Sequence, residues 1–237
     1  MAESSPVLEL HGLTKRYAIG TPAEIEVLHG LDLKLERGEF AALIGPSGSG
    51  KSTLLNLLGL LDSPTVGELS LVGQPTRALD DDARTRLRAE SIGFVFQFHH
   101  LLPAFTALEN VLMPLMARHG KPSAAQRQRA QRLLDAVGLG ALAHRKPNEL
   151  SGGQQQRVAI VRALVSEPAL LLADEPTGNL DTQTADEVFA LLRQLHSERS
   201  FAVLVVTHDP RLAERCDRII RLVDGRIVED QRKPRGA

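Results

Sequence analysis

The chain is 237 residues long, carries 28 Lys and Arg against 29 Asp and Glu, and has a single cysteine, Cys216. A net charge of -1 excludes a global basic field that would draw it to nucleic acid or anionic lipid, and one cysteine excludes an internal disulfide, which fits a reducing, cytoplasmic setting. A chain of this length buries well over half of its unfolded surface without cross-links, and a single α/β domain is expected over 1–237.

The opening stretch, MAESSPVLEL, has no basic patch followed by an apolar run, so no secretory signal is expected. Two strand-like stretches follow, VLELHGLTKRY and IEVLHGLDLKLERGEF, with a loop predicted at 18–24 between them. FAALIG is a short buried strand that runs into a glycine-rich turn and then the helix KSTLLNLLGLL; IGFVF is a further strand ending at Gln97. Roughly from 98 to 165, apolar residues recur three and four apart in ALENVLMPLMARHG, QRQRAQRLLDAVGL and QQQRVAIVRALV, which predicts a helical subdomain. Two apolar strands, ALLLAD and FAVLVVTHD, flank the helix TADEVFALLRQLHSE. In RIIRLVDGRIVED, Asp224-Gly225 between apolar runs predicts a tight hairpin. Alternating strands and helices imply a mostly parallel α/β core with an antiparallel β edge. The charged stretch 84–88 and the tail QRKPRGA read as solvated surface. The richest apolar runs, 54–61 and 201–206, fall well short of the ~18–20 residues that cross a bilayer, so any membrane role is expected to run through partners.

Three motifs carry chemistry. Residues Gly45, Pro46, Ser47, Gly48, Ser49, Gly50, Lys51, Ser52 and Thr53 fit the phosphate loop G-x-x-x-x-G-K-[ST]. Its glycines let backbone N–H groups turn inward at phosphate oxygens, and the following helix adds its N-terminal dipole. Lys51 should reach the β- and γ-phosphates, and the Ser52 hydroxyl should ligate Mg²⁺. ALLLADE at 169–175 is a buried strand ending in two carboxylates. In isolation such a pair says little. Beside a phosphate loop, Asp174 reads as the Mg²⁺ carboxylate and Glu175 as the general base that polarises the attacking water. The third motif is LSGGQ at 150–154. Ser151 and Gln154 have the spacing of a capping box, so a well-capped helix is one reading. The other is a second anion site, with Ser151, Gly152 and Gly153 exposing donors at a helix N-terminus.

Phosphate loop, Gln97, LSGGQ, ALLLADE, Asp181 and His208 occur in an order that resembles ABC transporter ATPases over nearly the whole chain. The resemblance implies a P-loop NTPase core of the ABC type, ATP and Mg²⁺ as cofactors, and a dimer in which LSGGQ of one copy caps the γ-phosphate held by the other. It also implies residue roles. Tyr17 stacks on adenine, Gln97 senses the metal and the attacking water, and Ser52, Gln97 and Asp174 serve Mg²⁺. Gln154 belongs to the second nucleotide contact, Asp181 crosses between the two sites, and His208 meets the γ-phosphate.

A narrower likeness lies in FQFHHLLPAFTALEN followed by VLMPL, which resembles the ATPases of lipoprotein-releasing transporters. ADEPTGNLD is shared more widely, with macrolide-export and cell-division ATPases, and Ala104 departs from the Asp expected of the narrower group. That group implies two copies serving a pair of integral membrane subunits at the cytoplasmic face of the inner membrane, with the chain itself peripheral. The complex would extract lipid-anchored proteins and pass them to a periplasmic carrier. Because the chain ends soon after its last hairpin, the membrane part is expected on separate chains. Competing readings are an efflux ATPase, a cell-division-type signalling ATPase, and an ABC ATPase acting on ribosomes or DNA. The last commonly carries paired cassettes, coiled coils or basic extensions that this sequence does not show. His99 and His100 invite a metal reading, but no third ligand is evident. Docking on membrane partners is the expectation for this segment, with loss of both histidines weakening partner association more than nucleotide binding.

Overall fold

The computed structural model describes residues 6–233. The readings made at residues 1–5 and at 234–237 of the tail lie outside the described residues.

Five short strands are built from aliphatic runs: β3 (Phe40–Ile44), β6 (Ile92–Phe96), β7 (Leu170–Asp174), β8 (Ala202–Val206) and β9 (Arg218–Val223). They lie parallel in the order β9-β3-β8-β7-β6, and β10 (Arg226–Arg232) closes the edge antiparallel to β9. The central strands are buried on both faces, as a parallel sheet covered by other layers requires. Their period of two sorts the side chains. Phe40, Ala42, Leu171, Ala173, Val203 and Val205 face one core, and Ala41, Leu43, Leu170, Leu172, Ala202 and Leu204 face another.

The second of these cores is shared with α1 (Lys51–Leu58) and with an antiparallel sheet. That sheet comprises β1 (Leu8–Tyr17), β2 (Ile25–Leu35), β4 (Val66–Leu71) and β5 (Gln74–Pro75), in the order β2-β1-β4-β5. The first core takes the helices α3 (Ala107–His119), α4 (Ala124–Ala136), α5 (Gly152–Leu164) and α6 (Thr182–Arg199). Thr106, Ser123 and Ser151 each cap their helix through a side-chain oxygen and a Glu or Gln three residues on. These capping boxes explain why the loops break where they do.

The predicted mostly parallel core, antiparallel sheet and helical segment are all present. Asp224 and Gly225 both have positive φ, 43° and 68°, as a two-residue hairpin turn demands. Two local details differ from the sequence reading. The helix opening at Lys51 stops at Leu58, because Gly59 caps it and Leu60 turns to a φ of 53°. A helix, α2 (Asp81–Ser91), occupies the charged stretch read as plain surface. Asp80 caps it, Leu87 is buried, and Arg88 Nη1 donates to the Leu60 carbonyl at 2.8 Å. The stretch is therefore solvated on one side only. Among the described residues no helix is long and apolar enough to cross a membrane.

Candidate active site

Strand β3 delivers the phosphate loop at its C-terminal end. Gly45 leaves the strand so close to the neighbouring strand that an added Cβ would lie 2.0 Å from the Leu222 carbonyl oxygen; only glycine fits there. The first helical hydrogen bond of α1 runs from Leu54 N–H to the Gly50 carbonyl, 2.8 Å. The N–H groups before it emerge from the helix end, where an anion is favoured. Ser47, Gly48, Gly50, Lys51, Ser52 and Thr53 line an open cleft of about 250 Å³ with Val27. Gly45, Pro46 and Ser49 do not line it. Lys51 Nζ donates to the Gly45 and Pro46 carbonyls, 2.8 Å each, which holds the ammonium at the loop's mouth. Tyr17 pairs with Ile25, two positions along β2 from Val27. Its hydroxyl donates to Asp62, 3.2 Å, and Lys15 Nζ lies 4.8 Å from its ring centroid.

The parallel strand β7 places Asp174 and Glu175 at the same edge of the sheet. Asp174 is half-buried. Burial pushes its carboxyl pKa up, the neighbouring Glu175 charge adds to this, and Lys51 opposes it. Glu175 adopts a φ of 46° and donates its N–H to the Val206 carbonyl, 2.9 Å. A non-glycine residue in that left-handed region stores about 1–3 kcal/mol, which aims its side chain out of the strand line. Glu175 Oε1 lies 2.8 Å from His208 Nδ1, the residue following β8 and Thr207. These two side chains line a cleft of about 180 Å³ with Gly178, Leu180 and Arg211. Gln97, at the end of β6, donates from Nε2 to Asn179 Oδ1 at 3.0 Å, and its carbonyl accepts from Asn179 Nδ2 at 3.2 Å.

The LSGGQ motif opens α5. Ser151 Oγ accepts from Gln154 N–H, 3.3 Å, and Ser151 N–H donates to Gln154 Oε1, 2.9 Å. The capping reading and the anion reading are compatible, because the box leaves the N–H groups of Gly152 and Gly153 ahead of the first helical bond, from Gln155 to the Ser151 carbonyl. An added Cβ on Gly153 would meet Thr184 Cγ2 at 2.4 Å. Asp181 caps α6 by accepting from Thr184 N–H and Oγ1, 3.0 and 2.6 Å, and these bonds lower its carboxyl pKa. Neither the cleft at Lys51 nor the one at His208 includes residues 151–154.

The structure thus gathers Lys51, Ser52, Asp174, Glu175, His208 and Gln97 at the C-terminal edge of one parallel sheet, where open α/β sheets bind ligands. It leaves LSGGQ at a separate helix end. Sequence reasoning missed Asn179, the partner of Gln97, and Arg162, which donates to the carbonyls of His99 and His100. Asn179 sits inside GNLD and was within reach of inspection. Arg162, one of two arginines on α5, gave no such signal. Among the described residues no group of three His, Cys, Asp or Glu is placed to hold a metal.

The raised Asp174 pKa gives a pH test. A carboxyl that holds its proton more tightly folded than unfolded stabilises fully below the unfolded value, and that contribution is lost as pH rises through the folded one. Asp174→Asn in the nucleotide-free chain should therefore gain melting temperature over the parent increasingly from about pH 4, near the unfolded Asp value, toward neutrality. Melting curves that stay parallel across this window would show that ionised Asp174 carries no such cost.

The sequence profile described as "ABC transporter" matches residues 28–178. The chain is 62% identical over 232 residues to the lipoprotein-releasing system ATP-binding protein LolD of Anaeromyxobacter dehalogenans, covering 97% of each chain. It is 58% identical to LolD 1 of Rhodopseudomonas palustris, covering 94% of this chain and 98% of that one. Among solved structures, the ATP-binding cassette MJ0796, a dimer in a post-hydrolysis state bound to ADP and Pi, superposes with a TM-score of 0.85 at 45% identity, covering 97% of this chain and 100% of that one.

Proposed function

The chain belongs to the ABC transporter family, and from that premise we propose that it is the ATP-hydrolysing subunit of a lipoprotein-releasing membrane transporter. The observation that carries the narrower reading is the near-full-length identity to lipoprotein-releasing ATPases. Two copies close on ATP, and the phosphate loop of each works with the LSGGQ of the other. The geometry favours this arrangement, because within one chain the N–H groups of Gly152, which is exposed, and of Gly153, which is buried, lie outside both clefts around the phosphate loop and His208.

In each site Lys51 and the loop N–H groups hold the β- and γ-phosphates, and Tyr17 offers its ring to the adenine. Ser52, Asp174 and Gln97 supply the hard oxygen donors that suit Mg²⁺, and the half-buried, pKa-raised Asp174 carboxyl gains most from a cation beside it. Mg²⁺ neutralises charge on the phosphates when bound. Glu175 takes a proton from the attacking water as the bond from the γ-phosphorus to the bridging oxygen breaks, giving ADP and phosphate. His208, beside Glu175 in the same cleft, turns its ring N–H from Glu175 to the γ-phosphate oxygens. Asp181 reports across the interface from the head of α6. Loss of the γ-phosphate removes the bridge between the copies, which is the two-state element that does work.

That work is delivered to two integral membrane subunits at the cytoplasmic face of the inner membrane. A groove of about 640 Å³ between α2, β6 and α3, floored by Phe94 and Phe96 and rimmed by Arg86, Arg118 and Arg162, suits a helical segment of those subunits. Phe98, 65% exposed, extends the apolar surface of this segment. Pulling a lipid anchor from the bilayer costs about 0.8 kcal/mol per methylene, so coupling to ATP is needed before delivery to a periplasmic carrier.

The test is copurification of tagged Glu175→Gln chain with ATP from detergent-solubilised membranes. Two different integral membrane proteins, with or without a trapped lipoprotein, are expected. One self-paired membrane protein with a periplasmic adaptor would indicate efflux instead, and cell-wall regulators or ribosomes would overturn the transport reading.

A further inference from the structure

Residues 96–100 are laced to one side of α5. The Phe96 carbonyl accepts from Gln156 Nε2, 3.3 Å, and the His99 side chain reaches Gly152, where Nε2 meets the carbonyl oxygen at 2.9 Å. The His99 and His100 carbonyls accept from Arg162 Nη2 and Nη1, 2.7 and 2.6 Å. The His100 ring lies tilted over Phe96, centroids 5.0 Å apart. Gly152 and Arg162 sit ten residues apart on α5, about 15 Å along a helix axis. Grips so far apart fix the direction of the helix as well as its position.

The Gly152 carbonyl can only accept, so the proton of this bond is on His99 Nε2. Gly152 is also the first residue of α5, whose first turn carries the LSGGQ N–H groups that precede the first helical bond. At the other end of the same segment, Gln97 is pinned to Asn179 through both its side chain and its carbonyl. Thus five residues join the Gln97 end of one nucleotide site to the helix whose N-terminus would serve the opposite site.

We propose that His99 is a positioning residue for the LSGGQ motif, tying the start of α5 to the Gln97 segment so that both move as one piece. This rests on the reading that LSGGQ serves the other copy. His99 touches neither nucleotide nor metal; it acts through Gly152. Its side chain is thereby committed inside the chain, and the adjacent histidines divide their work, one ring holding α5 and the other packing on the floor of the apolar groove.

The experiment uses the full chain in the Glu175→Gln background and reads two quantities: binding of ATP to the single chain at low protein concentration, and the ATP-driven dimer by sedimentation. His99→Ala should leave ATP binding unchanged and weaken dimerisation by up to roughly tenfold, because an α5 start no longer held in the single chain must be ordered again in both copies on closing, and that cost is bounded by the roughly three- to tenfold worth of one hydrogen bond per copy. His99→Gln, whose amide nitrogen reaches as far as Nε2, should restore most of the loss, and the shorter His99→Asn should not. Ser151→Ala is the control. If Ser151→Ala weakens the dimer and His99→Ala does not, the positioning role is overturned while the shared-site reading stands. If neither weakens it, or if the parent stays a single chain at saturating ATP, the shared-site reading itself fails. Loss of ATP binding by the single His99→Ala chain, or equal loss in the Gln variant, would also overturn the proposal.

Discussion

Glu175→Gln is expected to lower ATP turnover by about 10²–10⁴-fold, the range for removing a positioned general base, while ATP binding persists. The expectation follows from how the residue is held. Its backbone is fixed to β8 through the Val206 carbonyl and bent to a φ of 46°, and its Oε1 lies 2.8 Å from His208 Nδ1. Glutamine keeps the size and one carbonyl oxygen, so the contact with His208 and the fold persist. What is lost is basicity. Steady-state phosphate release, alongside nucleotide binding at equilibrium, separates the two effects. A variant that hydrolyses ATP within a few-fold of the parent would remove Glu175 from the base role.

Gly153→Asp is expected to abolish turnover as completely, by a different route. The site tolerates no side chain without movement, since a Cβ there would lie 2.4 Å from Thr184 Cγ2, a side chain that itself bonds Asp181. The new carboxylate would also put a negative charge in the first turn of α5, opposing an anion at its N–H groups. Binding of ATP to the phosphate loop of the same chain should be unaffected, because residues 151–154 do not line that cleft. Turnover should fall at least a hundredfold, with the midpoint of nucleotide binding to the single chain unmoved. An equal loss of binding would place LSGGQ in its own chain's site.

Much of this was legible in the sequence because the chemistry is local. The phosphate loop is a continuous run between a strand and a helix, and two carboxylates at the end of an aliphatic strand need only that strand's position. The period-two split of β3, β7 and β8 between two cores follows from aliphatic residues at every position. Other features were not legible. The helix α2 buries Leu87 and little else that is apolar, so no stripe announced it; its signal was the cap, Asp80 followed by Asp81 and Asp82. The bond from His99 to Gly152 joins residues 53 positions apart and depends on how two loops meet above the sheet. No spacing rule reaches that far. The histidine pair read as a docking element from its position, whereas one of its rings is engaged within the chain.

The measurement that tests the central claim most directly is the mass in solution of the Glu175→Gln chain with and without saturating ATP and Mg²⁺. A doubling of mass on adding ATP, reversed when Gly153→Asp is introduced into the same chain, is the result expected if two copies share each nucleotide. A mass that stays that of one chain, or a dimer indifferent to both ATP and Gly153→Asp, would contradict it.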